Sequence, residues 1–107
     1  MAAIRISAPE SAKKGKIIEI KALIRHKMES GFRRGPRGEA IPRDILTNFT
    51  CAYNGETVFE AEFFPAVSAN PFLAFHTVAT ESGTLDFQWT DQHGEVFSES
   101  VELTVEP

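Results

Sequence analysis

Asn54-Gly55 stands between two runs in which apolar and polar residues alternate one by one. Both residues tolerate φ > 0, which a two-residue type I′ turn demands, so the flanking runs are predicted to be the arms of an antiparallel hairpin. The first arm, residues 44–53, puts Phe49, Cys51 and Tyr53 on one face and Asn48, Thr50 and Ala52 on the other. The second, residues 56–64, alternates Phe59, Ala61 and Phe63 with Glu60 and Glu62. A period of two fits a pleated strand with one buried face and cannot be laid on a helix of 3.6 residues per turn.

The same reading extends along the chain. Ile4 and Ile6 begin a short strand over 3–7, a turn is expected over 9–15, and 16–24 alternates Ile18, Ile20, Ala22 and Ile24 with Glu19, Lys21 and Leu23. Pro65 and Pro71 bracket a connection over 64–71 that cannot be an uninterrupted central strand. Strands are then expected over 72–79, 83–90 and 95–105, the last two joined by a turn at Asp91-Gln92-His93-Gly94. No segment has convincing helical periodicity. A chain of 107 residues so patterned is expected to be one all-β domain, spanning residues 1–107: an immunoglobulin-like antiparallel β-sandwich of about seven strands.

Charge is distributed unevenly. All eleven Lys and Arg lie at or before Arg43; residues 1–43 hold eleven bases and four acids (net +7), residues 44–107 eleven acids and no base (net −11), and the two sum to −4. The stretch from Arg25 to Arg43 has six bases, two acids and no apolar period, so it is expected to be a long loop that is either functional or mobile. If the two halves stay apart in space, the field can orient a partner; interleaved strands would cancel it. The net negative charge argues against nucleic acid as the main partner, and no apolar run approaches the length of a membrane span. The N-terminus has no apolar core of a secretory signal, and the lone Cys51 excludes an internal disulfide.

Candidate chemistry is sparse. His26, His76, His93, Met28 and Cys51 invite comparison with a blue-copper set, but their spacing is not that of one ligating loop, and Cys51 sits mid-strand like a small buried hydrophobe. Ser7, Ser30, Ser68 and Ser98 lack the glycine pattern of a nucleophile elbow. Glu60 and Glu62 fit a solvated strand face, and Gly31, Gly35 and Gly38 precede no strand-to-helix junction that could cradle phosphate. No catalytic residue, cofactor or metal site is therefore expected. A small metal-binding or electron-transfer sandwich is the alternative from another class. What remains is surface: Met28, Phe32 and Ile41 among arginines in one loop, and Pro65, Val67, Pro71 and Phe72 in another, a composition common at protein interfaces.

The words His26-Lys-Met-Glu-Ser-Gly31, Ile41-Pro-Arg43, Phe49-Thr-Cys-Ala-Tyr-Asn-Gly55 and Ser68-Ala-Asn-Pro-Phe72, in this order and spacing, resemble the SoxZ family of bacterial sulfur oxidation. The resemblance runs from Ile4 to the last strand, with Lys27 standing where the family often has proline. It implies a non-catalytic subunit that forms a heterodimer with SoxY, whose glycine-rich tail carries sulfur intermediates on a cysteine. It also implies a periplasmic complex, this subunit being exported with its signal-bearing partner, and transient docking of other Sox enzymes. From the matching words, Met28, Glu29, Phe32, Arg33, Arg34, Asn70, Pro71 and Phe72 are expected contact residues. Arg33, Arg34 and Arg37 are expected to hold anionic cargo or to guide docking enzymes. A partner face left bare would also allow a homodimer in isolation.

Overall fold

The computed structural model describes residues 3–107. Eight strands follow in order: β1 (Ile4–Ser7), β2 (Ser11–Lys13), β3 (Ile17–Ile24), β4 (Leu46–Tyr53), β5 (Glu56–Glu62), β6 (Phe72–Val78), β7 (Gly83–Asp91) and β8 (Val96–Glu106). They form two sheets, one of three strands ordered β1-β3-β6 and one of five ordered β2-β8-β7-β4-β5. All neighbours are antiparallel except β2, which runs parallel to β8. The chain thus enters in the small sheet as β1 and crosses to the large one as β2, tying the two layers together. This is the expected immunoglobulin-like sandwich with one strand more than the alternation indicated. Three residues, Ser11-Ala12-Lys13, are too few to display a period, and the sequence suggested only a turn there.

The Asn54-Gly55 turn has φ of 49° and 84°, and β4 and β5 pair around it from Tyr53–Glu56 to Asn48–Glu62. The register slips at Val58, an extra residue opposite Cys51 and Ala52. At the β7–β8 turn, Asp91 accepts the His93 and Glu95 amides on one carboxylate oxygen, each at 2.9 Å, and Gly94 supplies φ of 85°.

Inward positions of both sheets meet in one core. Ile18, Ile20, Ala22, Ile24 and Phe75 of the small sheet oppose Phe49, Cys51, Tyr53, Leu85, Phe87, Trp89 and Leu103 of the large one. Phe49 is the hub: its ring lies 4.9 Å from Trp89, 6.1 Å from Phe59 and Phe75, and 6.4 Å from Phe87. Phe59 and Phe75 stack face to face at 4.3 Å, joining the edge strands β5 and β6 across the layers. The Tyr53 hydroxyl accepts the Thr80 and Glu81 amides and donates to the Glu81 carbonyl, closing one end of the sandwich.

The separation of charge in sequence survives folding. Residues 44–107 build the large sheet apart from β2, whereas β1 and β3 of the small sheet come from the basic half. The pairing registers place Glu60, Glu62, Asp86, Glu102 and Glu106 on the outward face of the large sheet, with Lys13 as its base among the described residues. The outward face of the small sheet carries Arg5 and Lys21 against Glu19.

Because the Phe49 side chain touches rings from both layers, Phe49→Ala should lower unfolding free energy by about 3–5 kcal/mol, measured by urea denaturation. An outward change such as Thr50→Ala should stay within about 0.5 kcal/mol.

Candidate interaction surface

Residues 25–43 are not a slack loop. Glu29 and Asp44 exchange backbone hydrogen bonds of 2.9 and 2.8 Å, and a second bridge joins Arg34 to Ala40. Between the two, the Ile41 amide reaches the Arg33 carbonyl, and at the tip the Gly35 amide bonds the Glu39 carbonyl. The result is an irregular hairpin folded back on itself. It springs from the end of β3 and contributes to a molecule 62 Å long and about 20 Å across. The longest strand, of eleven residues, spans only about 37 Å.

Side chains lock the base of this hairpin. Met28 adopts φ of 49°, uncommon for a residue with a Cβ. Its amide donates to His26 Nδ1 at 2.9 Å, and its Sδ accepts the Leu46 amide at 3.3 Å inside the core. Glu29 receives Arg33 on both carboxylate oxygens, at 2.6 and 3.3 Å. The hydrogen bond and charge of the Arg33 guanidinium hold the Glu29 carboxyl below the usual carboxylate range, and Arg33 itself is raised. Gln92, from the β7–β8 turn, accepts from Arg43 Nε and the Ile45 amide and donates to the Arg43 carbonyl. Asn70, at φ of 55°, bonds the His26 backbone through both its amide and its Oδ1.

These contacts divide the expected contact residues. Phe32 is 83% exposed and Phe72 is 56% exposed, in the surface setting the sequence suggested. Arg34 and Asn70 are also at the surface, although Asn70 is already engaged with His26. Met28, Glu29 and Pro71 do not have the exposed-loop setting the sequence suggested. Met28 plugs the core, Glu29 is folded under Arg33, and Pro71 is buried where its carbonyl accepts the Ile24 amide. Arg33 remains solvent-facing but its fork is occupied by Glu29, leaving Arg34 and Arg37 as hairpin-tip guanidiniums with no ion pair among the described residues. The sequence held no signal for Gln92 as a peg or for the αL backbone of Met28, because both depend on partners far along the chain.

Phe72 forms the ridge between two shallow grooves. One, of about 480 Å³, is lined by Phe63, Val67, Pro71 and Leu73 below the β5–β6 connection. The other, of about 370 Å³, crosses the small sheet between Arg5, Lys21 and Leu23. Ile17 and Val78 are exposed at the far end of the same sheet face. Of the large apolar side chains exposed among the described residues, Ile17, Phe72 and Val78 share the small-sheet face with basic side chains set between them, whereas Phe32, Phe64 and Val96 lie elsewhere.

The candidate chemical residues do not converge on one point. His26 and His93 approach Asp44 Oδ1 at 3.9 and 3.6 Å, with Lys27 Nζ at 3.3 Å from Oδ2. His76 lies on the outer sheet face beside Glu19, and Cys51 is in the core. Among the described residues no group of three or more His, Cys, Asp or Glu is arranged to hold a metal ion. Burial, reinforced by Asp86, pushes the Cys51 thiol up to about 12, so it has almost no thiolate at neutral pH.

The model of the sulphur oxidation protein SoxZ family matches residues 4–102. The chain belongs to the SoxZ family. Among solved structures it is similar to the sulfur carrier protein SoxY from Chlorobium limicola f thiosulfatophilum (17% identity, 98% of this chain, 80% of that one, TM-score 0.70). It is also similar to a superoxide reductase (neelaredoxin) from Ignicoccus hospitalis (15% identity, 96% and 80% covered, TM-score 0.72). A PKD domain of an M14-like peptidase from a Thermoplasmatales archaeon gives 13% identity, 97% and 93% covered and a TM-score of 0.60. At these identities the likenesses concern the sandwich alone. No curated protein matches the sequence.

In this SoxZ-family chain, iodoacetamide at pH 8 should label native Cys51 far more slowly than the unfolded chain, because the buried thiol is both shielded and poor in thiolate. Mass spectrometry with and without denaturant checks it.

Proposed function

We propose that this chain is a non-catalytic platform that holds SoxY, the subunit whose tail cysteine carries the sulfur intermediates. The family match over residues 4–102 carries the reading. Three features of the chain support it. Its one thiol is buried and held well above the ordinary thiol range, which favours another molecule as the bearer of covalent sulfur. Its outer small sheet offers apolar anchors around Phe72, ringed by Arg5 and Lys21. Its basic hairpin is rigidly based yet presents Phe32, Arg34 and Arg37 outward.

The two surfaces divide the work. Desolvated aromatic anchors give affinity, whereas exposed charges mainly set encounter rate and orientation. Phe72 and its grooves form the stable contact with SoxY. Arg34 and Arg37 steer anionic cargo and transiently docking Sox enzymes, and Arg33 serves instead to brace the hairpin through Glu29. The complex operates in the periplasm, this subunit travelling with SoxY.

Two measurements test this. Phe72→Asp should weaken association with SoxY by about thirtyfold or more, the effect of losing a central aromatic anchor; unchanged co-purification would refute Phe72 as the anchor. Charge reversal at Arg34 and Arg37 should slow turnover by Sox enzymes several-fold at low salt. The difference should shrink as salt shortens the Debye length to roughly 8 Å at physiological strength, and an effect independent of salt would remove the steering role.

A further inference from the structure

Each sheet of the sandwich is open at its sides, and most of these borders are defended. β1 has four residues and contains Arg5, and β2 has three and contains Lys13. β5 is bulged at Val58 and carries Glu56, Glu60 and Glu62. The stretch of β8 not covered by β2 holds Glu99 and Glu102. Short length, bulges and charged side chains are the usual protections against strand addition. β6 has none of them. Its sequence, Phe72-Leu-Ala-Phe-His-Thr-Val78, is seven residues without acid, Lys, Arg, Pro, Gly or bulge, and among the described residues it pairs only with β3.

The direction of its free backbone groups follows from its known bonds. The Ile24 amide bonds the Pro71 carbonyl and the Ala79 amide bonds the Lys16 carbonyl, so odd-numbered residues of β6 face β3. Phe72, Ala74, His76 and Val78 consequently leave their N–H and C=O on the open side. The same four residues point their side chains to the outer face, where Phe72 and Val78 are 56% and 44% exposed.

We propose that β6 is a self-pairing edge, joining antiparallel to β6 of a second copy of this chain about a twofold axis at Phe75. In that register Phe72 lies opposite Val78 of the second copy and Ala74 opposite His76, which brings together residues whose free amides and carbonyls face each other. Following the existing β3 registers outward, each end of the interface becomes a continuous apolar row: Leu23, Phe72, then Val78 and Ile17 of the second copy. The inner row reads Lys21, Ala74, then His76 and Glu19 of the second copy, so opposite signs stand at its two ends. No like charges meet directly across the seam. This complementarity of β6 with its own reverse selects a second copy as the occupant. The contact is isologous and closes as a dimer with a six-stranded sheet of order β1-β3-β6-β6-β3-β1. The inference stands apart from the SoxY reading, although both draw on Phe72: it uses the exposed edge of β6 and the side chains beside it.

The test is the mass of the purified chain across a concentration series, combined with amide hydrogen exchange. The expected results are a species of twice 11.9 kDa and slowed exchange at Ala74 and His76 that grows with concentration. Ala74→Pro removes an amide that β3 does not use, and Ala74→Lys adds the missing guard. Each should raise the dimer dissociation constant by more than about tenfold, because each change counts twice at a twofold seam. A chain that stays monomeric throughout, with Ala74 and His76 exchanging freely, overturns the proposal. So does a dimer that persists in well-folded Ala74→Pro and Ala74→Lys, or protection of these amides that appears only when SoxY is added. Exchange in the unmodified chain decides the matter even if a variant fails to fold.

Discussion

The fold rests on the contacts of Phe49 with rings from β5, β6 and β7. Two sheets with twisted faces touch over a limited area, and a small sheet of three strands can cover only part of a sheet of five. Large rings concentrate the buried apolar surface where the layers overlap, and aromatic pairs add about 0.5–1.5 kcal/mol each beyond area burial. Phe75 reaches from the small sheet to Phe49 and Phe59, so the layers are fastened at the β5–β6 side, while the β1-to-β2 crossing fastens the opposite side. The border strand that supplies the inward Phe75 also presents Phe72 outward, which couples the stability of the core to the shape of the outer small-sheet face.

The hairpin over residues 25–43 illustrates a different economy. It has almost no core of its own, and Met28 is the one large side chain it sends into the sandwich. Its stiffness comes from polar fastenings to three separate parts of the chain: Asp44 and Leu46 ahead of and within β4, Gln92 in the β7–β8 turn, and Asn70 before β6. A basic appendage held this way keeps its guanidiniums in a fixed direction relative to the sheets. The acidic face of the large sheet lies elsewhere on the molecule, so the field has a defined axis.

Much of this architecture was legible in the sequence. Alternation located β3, β4, β5, β7 and β8, and Asn54-Gly55 fixed the central hairpin, because period and turn chemistry are local properties. Phe32 and Phe72 stood out as large apolar side chains without a periodic place in the core. The remainder was hidden for reasons of range. β2 is stabilised by β8, some ninety residues away, and shows no period of its own. Met28 and Glu29 look like loop residues until Leu46 and Arg33 close over them. Pro71 is buried where the chain before β6 bonds back to Ile24. The defenceless border of β6 cannot be recognised from its sequence alone, since it becomes a border only when the strand order is known.

Cys51 occupies the centre of β4, between the walls of the two layers, with its proton held firmly. Attack on a sulfur–sulfur bond requires both an anion and a line of approach, and this side chain has neither. Thiol–disulfide exchange at this position is accordingly disfavoured in the folded chain. A thiol so placed serves the sandwich as a small packed side chain rather than as a reactive group.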